Sequence, residues 1–534
     1  MPVLLEPRSL QRRHKRNQFN KTAGGIRMNR SKILIITLFI VAAATRFADV
    51  FRPINQASWR ECDLGAVSRN FAREGMNPFY PRIDWRGDGP GYAEMELPLF
   101  PFLTSITYPL FGIHDQFGRV LAFLFSLGAL FFFFRLARQY LSFFAAVTAF
   151  AFFAFNPLII DQSTALQPEG LMLFAYIASV YFFTRWLKND DTKYFCAAIG
   201  STALTLLAKA PAAHIGLFFG ILLIEKYGWK AIKETKVWIF GIYSILPSTL
   251  WYLHAKNLWL TYGNSLGVSN EYHWIGLDVF TDTSFLTGIL RSELMYVWVV
   301  FGIIVGAFAI WKGYRERTAQ HSLLWLASIF ALYILAARTT SEEWANYYHV
   351  FSIPPVALIF GFSIEKLKDH ALTFADNFSS RTPAANLGRI AVFLFVVAAV
   401  FASFLLEAKQ VRASFLGKRV ADESHLCADK IRPELKADGL IVVSGGHCVD
   451  NKGYALAYNA SFMFYWLERK GWNICVEDQS IDKLNGFAVK GAKYFVAQKS
   501  ILNQRPDFEN DLRQVYSVIA ECNEFLIFDL TWRR

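Results

Sequence analysis

Gly118–Phe134 reads GRVLAFLFSLGALFFFF, an apolar run broken only by Arg119 near its start. A helix of this sequence is hydrophobic on every face, which suits lipid rather than water as its solvent. The same reading extends in both directions. Upstream lies Ile33–Phe51; downstream come Leu141–Ile160, Gly170–Leu187, Tyr194–Ala208, Ala212–Ile224, Val237–Leu253, Leu294–Trp311, Leu323–Ala337, Val350–Ile364 and Ile390–Leu406. These give roughly 11 crossings, some short enough to tilt or to pair as hairpins. The fold class they predict is a polytopic α-helical membrane protein of roughly 11–13 transmembrane helices. Leu97–Phe111 (LPLFPFLTSITYPLF) is interrupted by prolines and reads as a bent helix near the interface.

Composition agrees. Hydrophobic residues make up 54% of the 534-residue chain and charged residues only 18%, below the roughly 25% of soluble domains. The net charge of +12 does not signal nucleic acid, because Lys and Arg gather in the tail 1–32 and in short loops between apolar runs. If that tail is cytoplasmic, the loops holding Arg135/Arg138, Arg185/Lys188/Lys193, Lys226–Lys236, Lys312/Arg315/Arg317 and Lys366–Arg389 all fall inside. The outside then receives 52–117, 161–169, 254–293, 338–349 and everything after Leu406. The first apolar run lacks a small-residue cleavage site and reads as a retained anchor. The expected organisation is a cytoplasmic basic tail 1–32, a membrane domain 33–406 with a long first outer loop 52–117, and an external α/β domain 407–534.

That last part changes character. Leu440–Ser444, Trp472–Glu477, Lys493–Gln498 and Phe525–Leu530 read as strands, and Tyr454–Lys470 and Ile501–Gln514 as helices. Cys427, Cys448, Cys475 and Cys522 allow two disulfides in an oxidising compartment, or four buried thiols; their spacing matches no metal site.

The chemistry concentrates in the first outer loop, WRECDLGAVSRNFAREGMNPFYP (Trp59–Pro81), continued by GPGYAEMELP (Gly89–Pro98). Asp63 begins a helix carrying Arg69 and Arg73; Glu94 and Glu96 precede the bent segment. A carboxylate at a membrane boundary can take a proton from an acceptor hydroxyl while cations hold a departing phosphate, although an acid at a helix start also serves as a cap. In the second outer loop Glu169 follows Pro168, a good helix-starting position in its own right, and Asp161 is the alternative acid. Lys209, in the turn Ala208–Pro211 between apolar runs, either faces an anion or snorkels to the interface. Arg338, Tyr348 and His349 crowd a late outer loop with Trp344 and Tyr347, where an interfacial aromatic belt is the plain alternative.

The first loop resembles that of the GT-C superfamily, specifically a bacterial branch related to the protein O-mannosyltransferases and the lipid A aminoarabinose transferase. The residues that carry the resemblance are Asp63, the stretch Ser68–Pro81, Gly89–Tyr92 and Glu96–Leu99. It implies an inverting glycosyltransferase of the bacterial inner membrane, its C-terminal domain periplasmic. The donor implied is a polyprenyl-phosphate sugar and the acceptor a glycan, lipid or protein. Asp63, Glu96 and Glu169 would be the catalytic carboxylates, Arg69, Lys209 and Arg338 the phosphate ligands, and Tyr348, His349 and Asp161 the donor or acceptor contacts. Membrane lipids are the surrounding partners. The resemblance implies no nucleotide and no required cofactor, although paired acids suit a divalent cation. One position departs from the pattern: aminoarabinose transferases end this loop with acid–Lys–Pro, whereas Glu96-Leu97-Pro98 lacks the cation, which must then come from Arg69, Lys209 or Arg338. The rival readings are a lipid-linked-glycan flippase or transporter, an O-antigen polymerase or ligase, and a non-catalytic assembly protein. No internal repeat supports the first, and an early rather than late key loop disfavours the second.

Overall fold

The computed structural model describes residues 30–55, 59–267, 282–335, 337–378, 420–449 and 458–533, with isolated positions between 398 and 409. The apolar runs expected between Gly118 and Ile364 are helical, but Leu141–Ile160 divides at Asn156 into Phe143–Phe155 and Pro157–Gln162, and Leu294–Trp311 and Val350–Ile364 each run across a bend. Ile390–Leu406 lies almost wholly outside the described residues. In chain order the helices are α1 (Arg30–Phe47), α2 (Trp59–Glu74), α3 (Leu99–Ser105), α4 (Asp115–Tyr140), α5 (Phe143–Phe155), α6 (Glu169–Asn189) and α7 (Thr192–Ala208). There follow α8 (Ile215–Tyr227), α9 (Thr235–Tyr262), α10 (Thr283–Ser292), α11 (Val299–Gly313), α12 (Arg317–Leu335) and α13 (Ile353–Phe378). Polar residues set several boundaries. Ser142 and Asp191 accept backbone N–H bonds at the starts of α5 and α7, and left-handed Asp190 ends α6.

Among the described residues α4, α6 and α12 are each long and apolar enough to cross a bilayer alone. Two bent pairs qualify together, Thr283–Val297 with Gly302–Phe308 at 96° and Glu343–Phe351 with Ile353–His370 at 61°. The stretch expected as a bent helix is two short ones, α3 and Tyr108–Phe111, with Leu110 and Phe111 exposed on one side. Lipid tails are as apolar as leucine, so close packing holds such helices together. Gly361 on α13 illustrates this: a Cβ there would stand 2.5 Å from the Ala145 carbonyl of α5. Stacked Phe133–Phe153 and Phe183–Phe219 pairs, at 4.3 and 4.0 Å, fill the wider gaps.

The segments before α3 and after α9 are joined by a two-stranded parallel ribbon, β1 (Ala93–Glu94) with β2 (Asn264–Ser265). The C-terminal sheet is mixed, in the order β4-β3-β5-β7-β6. Its strands are β3 (Leu440–Ser444), β4 (Gly471–Ile474), β5 (Ala492–Gln498), β6 (Tyr516–Glu521) and β7 (Phe525–Arg533). β3 runs parallel to β4 and β5, while β7 is antiparallel to β5 and β6. Five α-helices accompany it among the described residues: α14 (Glu423–Ile431), α15 (Ser461–Leu467), α16 (Ile481–Val489), the short Lys499–Leu502 and α17 (Pro506–Val515). Val442, Phe495, Leu512 and Phe528 lie in its core. The four cysteines form two disulfides, Cys427–Cys522 and Cys448–Cys475. The helix expected over Ile501–Gln514 is broken into Lys499–Leu502 and α17, because Pro506 cannot continue a helix and instead begins one. Of Tyr454–Lys470, only α15 is helical among the described residues.

The α/β domain belongs with the membrane part: 45–534 is a single compact unit. α15 lies on α2 so closely that a Cβ on Gly65 would meet the Tyr465 ring at 2.8 Å. The Gly87 N–H donates to the Gly471 carbonyl at 2.6 Å and the Gly471 N–H to the Asp84 carbonyl at 3.1 Å, so the first loop continues the edge of β4. Trp466 Nε1 donates to the Ile54 carbonyl at 3.0 Å.

Candidate active site

α2 is buried over most of its surface, and its charges face three ways. Glu61 looks into the membrane domain, where it pairs with Arg119 at 2.8 Å and Arg52 at 3.4 Å and accepts the Leu166 N–H. Arg52 also holds Asp161 at 3.1 Å. Arg69 looks toward the C-terminal domain, bonded to Asp84 and to the Tyr465 carbonyl, with its guanidinium 4.8 Å from the Tyr465 ring centroid. Arg60 points to neither. It enters a cavity.

That cavity holds about 810 Å³ including its open mouth, and Arg60, Glu96, Lys209, Tyr252, Tyr347 and Tyr348 are in its wall. One Arg60 nitrogen bonds both Glu96 oxygens, at 2.7 and 2.8 Å. Desolvation would raise the Glu96 pKa, but the Arg60 and Lys209 charges outweigh it and hold this carboxyl below its usual range. Lys209 ends α7 and pairs with Glu169 at the start of α6. Its ammonium also sits 4.3 and 4.8 Å from the ring centroids of Tyr347 and Tyr348. The second Glu169 oxygen is buried without a hydrogen bond among the described residues.

Asp63 lies one turn along α2 from Arg60, only 2% exposed, and accepts from Trp85 Nε1 at 2.8 Å. Burial pushes its carboxyl up to about 7, while the Trp85 hydrogen bond and the Arg60 charge pull the other way. A carboxyl titrating there is poised for proton transfer near neutral pH.

A second, mostly apolar groove of about 1180 Å³ including its open side runs between α7, α8 and α9, lined by Leu206, Ile215, Phe219, Phe240, Ile245 and Leu253, with Lys256 also in its wall. It shares Ala210 and Tyr252 with the polar cavity, so the two adjoin.

The structure therefore brings together Glu96, Lys209 and Tyr348 in one wall and pairs Glu169 with Lys209, while Asp63 stands one turn along α2 from Arg60 and is not in that wall. It places the other sequence candidates elsewhere. Arg69 is buried against Asp84, and Asp161 belongs to the Arg52–Glu61 cluster. Arg338 opens a 3₁₀ turn beside the lining residues Ala337 and Thr339. His349 is fully buried, one ring nitrogen 2.7 Å from Glu293 Oε1 and the other 2.9 Å from the Thr340 carbonyl, so neither is left for a ligand. Sequence reasoning missed Arg60. The signal available was its position three residues before Asp63, on the same helix face, in a loop whose end lacks the family's lysine.

With its multi-helix membrane domain, buried first-loop helix and docked α/β domain, this chain has the fold of solved membrane glycosyltransferases. The family model described as dolichyl-phosphate-mannose-protein mannosyltransferase matches residues 90–252. Among solved structures, ArnT from Cupriavidus metallidurans in the apo state superposes with a TM-score of 0.61 at 12% identity, over 94% of this chain and 98% of that one. The same protein bound to undecaprenyl phosphate gives 0.57 at 13% identity, over 93% and 97%. The apo oligosaccharyltransferase of Archaeoglobus fulgidus gives 0.52 at 12% identity, over 89% of this chain and 70% of that one. A curated relative of another kind, a Na(+)/H(+) antiporter component from Bacillus subtilis, is 24% identical over 262 residues. That stretch is 45% of this chain and spans only 28% of the antiporter protein, too little to carry its activity across.

Proposed function

We propose that the protein is an inverting glycosyltransferase that moves a sugar from a polyprenyl phosphate to a hydroxyl on a glycan, lipid or protein at the outer face of the inner membrane. The observation that carries this reading is the junction of the two cavities. A chamber with two cations adjoins an apolar groove between helices, which suits an anionic head on an isoprenoid tail. The fold match to a protein crystallised with undecaprenyl phosphate supports the same donor class.

In the reaction, the acceptor oxygen forms a bond to the anomeric carbon from the face opposite the phosphate. The C1–O bond breaks with its electron pair going to the phosphate, and the hydroxyl proton passes to Asp63. The donor is a phosphodiester with a single charge, and a second charge develops as the bond breaks. Lys209 and Arg60 are placed to stabilise that developing charge, which is where electrostatic catalysis has most effect. Glu96 and Glu169 serve as counter-ions that aim those cations. Tyr347 and Tyr348 offer aromatic faces to the sugar or the first isoprene.

Two measurements test the reading: binding of undecaprenyl phosphate to the purified protein, and mass analysis of envelope glycans and lipids from cells lacking it. Saturable binding with one sugar missing from those cells is the expected pair of results. No binding, together with an unchanged glycan inventory, would return the choice to a transporter or an assembly protein.

A further inference from the structure

Lys209 reaches the cavity from a turn, and a side chain on a turn is only as well placed as the turn itself. Two rungs from α6 hold this one. Glu169 pairs with the Lys209 ammonium. Two turns further along the same face, the Tyr176 hydroxyl meets His214 Nε2 at 2.9 Å. His214 ends the 3₁₀ turn that begins just after Lys209, and its Nδ1 lies 2.8 Å from the Pro211 carbonyl within that turn. From α12, Trp325 Nε1 comes within 2.5 Å of the Tyr176 hydroxyl. All three side chains are buried, and Phe351 packs on the Tyr176 and His214 rings at 5.2 and 4.9 Å.

One placement of hydrogens satisfies every atom in this chain. An indole N–H can only donate, so the Tyr176 oxygen accepts it and keeps its own proton for His214 Nε2. A carbonyl can only accept, so His214 Nδ1 carries the ring hydrogen and gives it to Pro211. The imidazole is neutral and fixed in one tautomer. The hydrogen bonds run in a single direction, from Trp325 through Tyr176 and His214 to Pro211.

We propose that this buried relay positions Lys209 for a lipid phosphate: Trp325, Tyr176 and His214 lock the turn that begins just after Lys209, the phosphate ligand. His214 does not line the cavity, and it acts through Lys209. The proposal rests on reading Lys209 as a ligand of the polyprenyl phosphate.

The test is a double-mutant cycle on the full-length protein, with undecaprenyl phosphate as the probe and affinity as the readout. His214→Leu fills the site but makes neither hydrogen bond. His214→Gln can make both, its amide nitrogen donating to Pro211 and its amide oxygen accepting from Tyr176. We expect His214→Leu to weaken binding about tenfold in the native background and hardly at all when Lys209→Ala is already present. His214→Gln should restore most of the affinity. Tyr176→Phe removes only a hydroxyl and carries the same cycle if the leucine variant does not fold. Equal losses with and without Lys209, or undiminished affinity in both relay variants, would overturn the relay while leaving Lys209 a ligand. No loss on Lys209→Ala alone would instead remove the reading beneath it, and the relay with it.

Discussion

Arg60 bonds both carboxylate oxygens of Glu96 across 36 residues of sequence, at 2.7 and 2.8 Å, in the wall of the polar cavity. The end of the first loop, Glu96-Leu97-Pro98, has no lysine to set beside its acid, and α2 delivers an arginine there instead. A cation in that place can be tested apart from its counter-ion.

Arg60→Ala is expected to weaken undecaprenyl phosphate binding by roughly 10- to 100-fold, the range for a hydrogen bond to a charged group. Glu96→Gln keeps the shape but removes a negative charge from a chamber that must admit an anion. It should tighten binding of the same lipid and slow turnover, because Arg60 is freed for the phosphate but no longer aimed. Calorimetric titration of the two purified variants decides. Weaker lipid binding by the glutamine variant would mean that Glu96 contacts the ligand rather than balancing Arg60.

Arg69 separates two roles that the sequence could not. It is buried with Asp84, which also accepts from Asn70 at 2.8 Å, and it braces the seam with α15. Breaking a buried pair by removing one partner costs about 3–5 kcal/mol. Arg69→Met should therefore lower the melting temperature sharply and leave lipid affinity unchanged. A lost affinity at unchanged melting temperature would put Arg69 back among the phosphate ligands.

The contrast between Arg60 and Arg69 shows what the sequence can and cannot convey. Gly118–Phe134 and its counterparts were legible as helices because an apolar run of that length has few other folds. Strands such as Leu440–Ser444 were legible from β-branched runs between turns. Tyr516–Glu521 was not, because a mostly half-exposed edge strand has only a weak apolar pattern. Which way a charge on α2 faces depends on partners far off in the chain: Glu96 for Arg60, Asp84 and Tyr465 for Arg69. His349 failed for the same reason. Its place in the sequence suggests a ligand, but Glu293 and Thr340 close around the ring.

The disulfide pairs give a prediction ordered by loop length. Cys427–Cys522 spans 95 residues and Cys448–Cys475 spans 27. In the chain-entropy account the longer loop contributes about 1 kcal/mol more. Peptide mapping without reductant should recover those two pairs, with Cys62 and Cys196 alkylated after unfolding. Replacing Cys427 and Cys522 by alanine should lower the melting temperature more than replacing the other pair. Free thiols at all four positions in protein purified from the cell envelope would contradict an oxidising location for this domain.

The Asp63 carboxyl makes the mechanism testable by pH. Its folded pKa is raised to about 7 from 3.8, with burial the main cause, and a base must be ionised to act. kcat/KM should therefore rise with pH up to about 7 and then level off. Stability should move the opposite way. Between 3.8 and about 7 the folded state holds a proton that the unfolded state has lost, so this group makes stability fall as pH rises through that window. Asp63→Asn removes the titration while keeping an acceptor for Trp85. We expect transfer to drop by at least about 100-fold, within the range of a general base. The melting temperature at pH 8 should rise relative to the native protein, and much less so at pH 4. The sequence expectation that Asp63 begins the helix as a cap does not hold, because α2 already runs from Trp59 and Asp63 lies inside it. An asparagine variant with native turnover and the same rise toward pH 7 would take the proton-accepting role from Asp63 and pass it to Glu169, whose second oxygen lies buried behind Lys209.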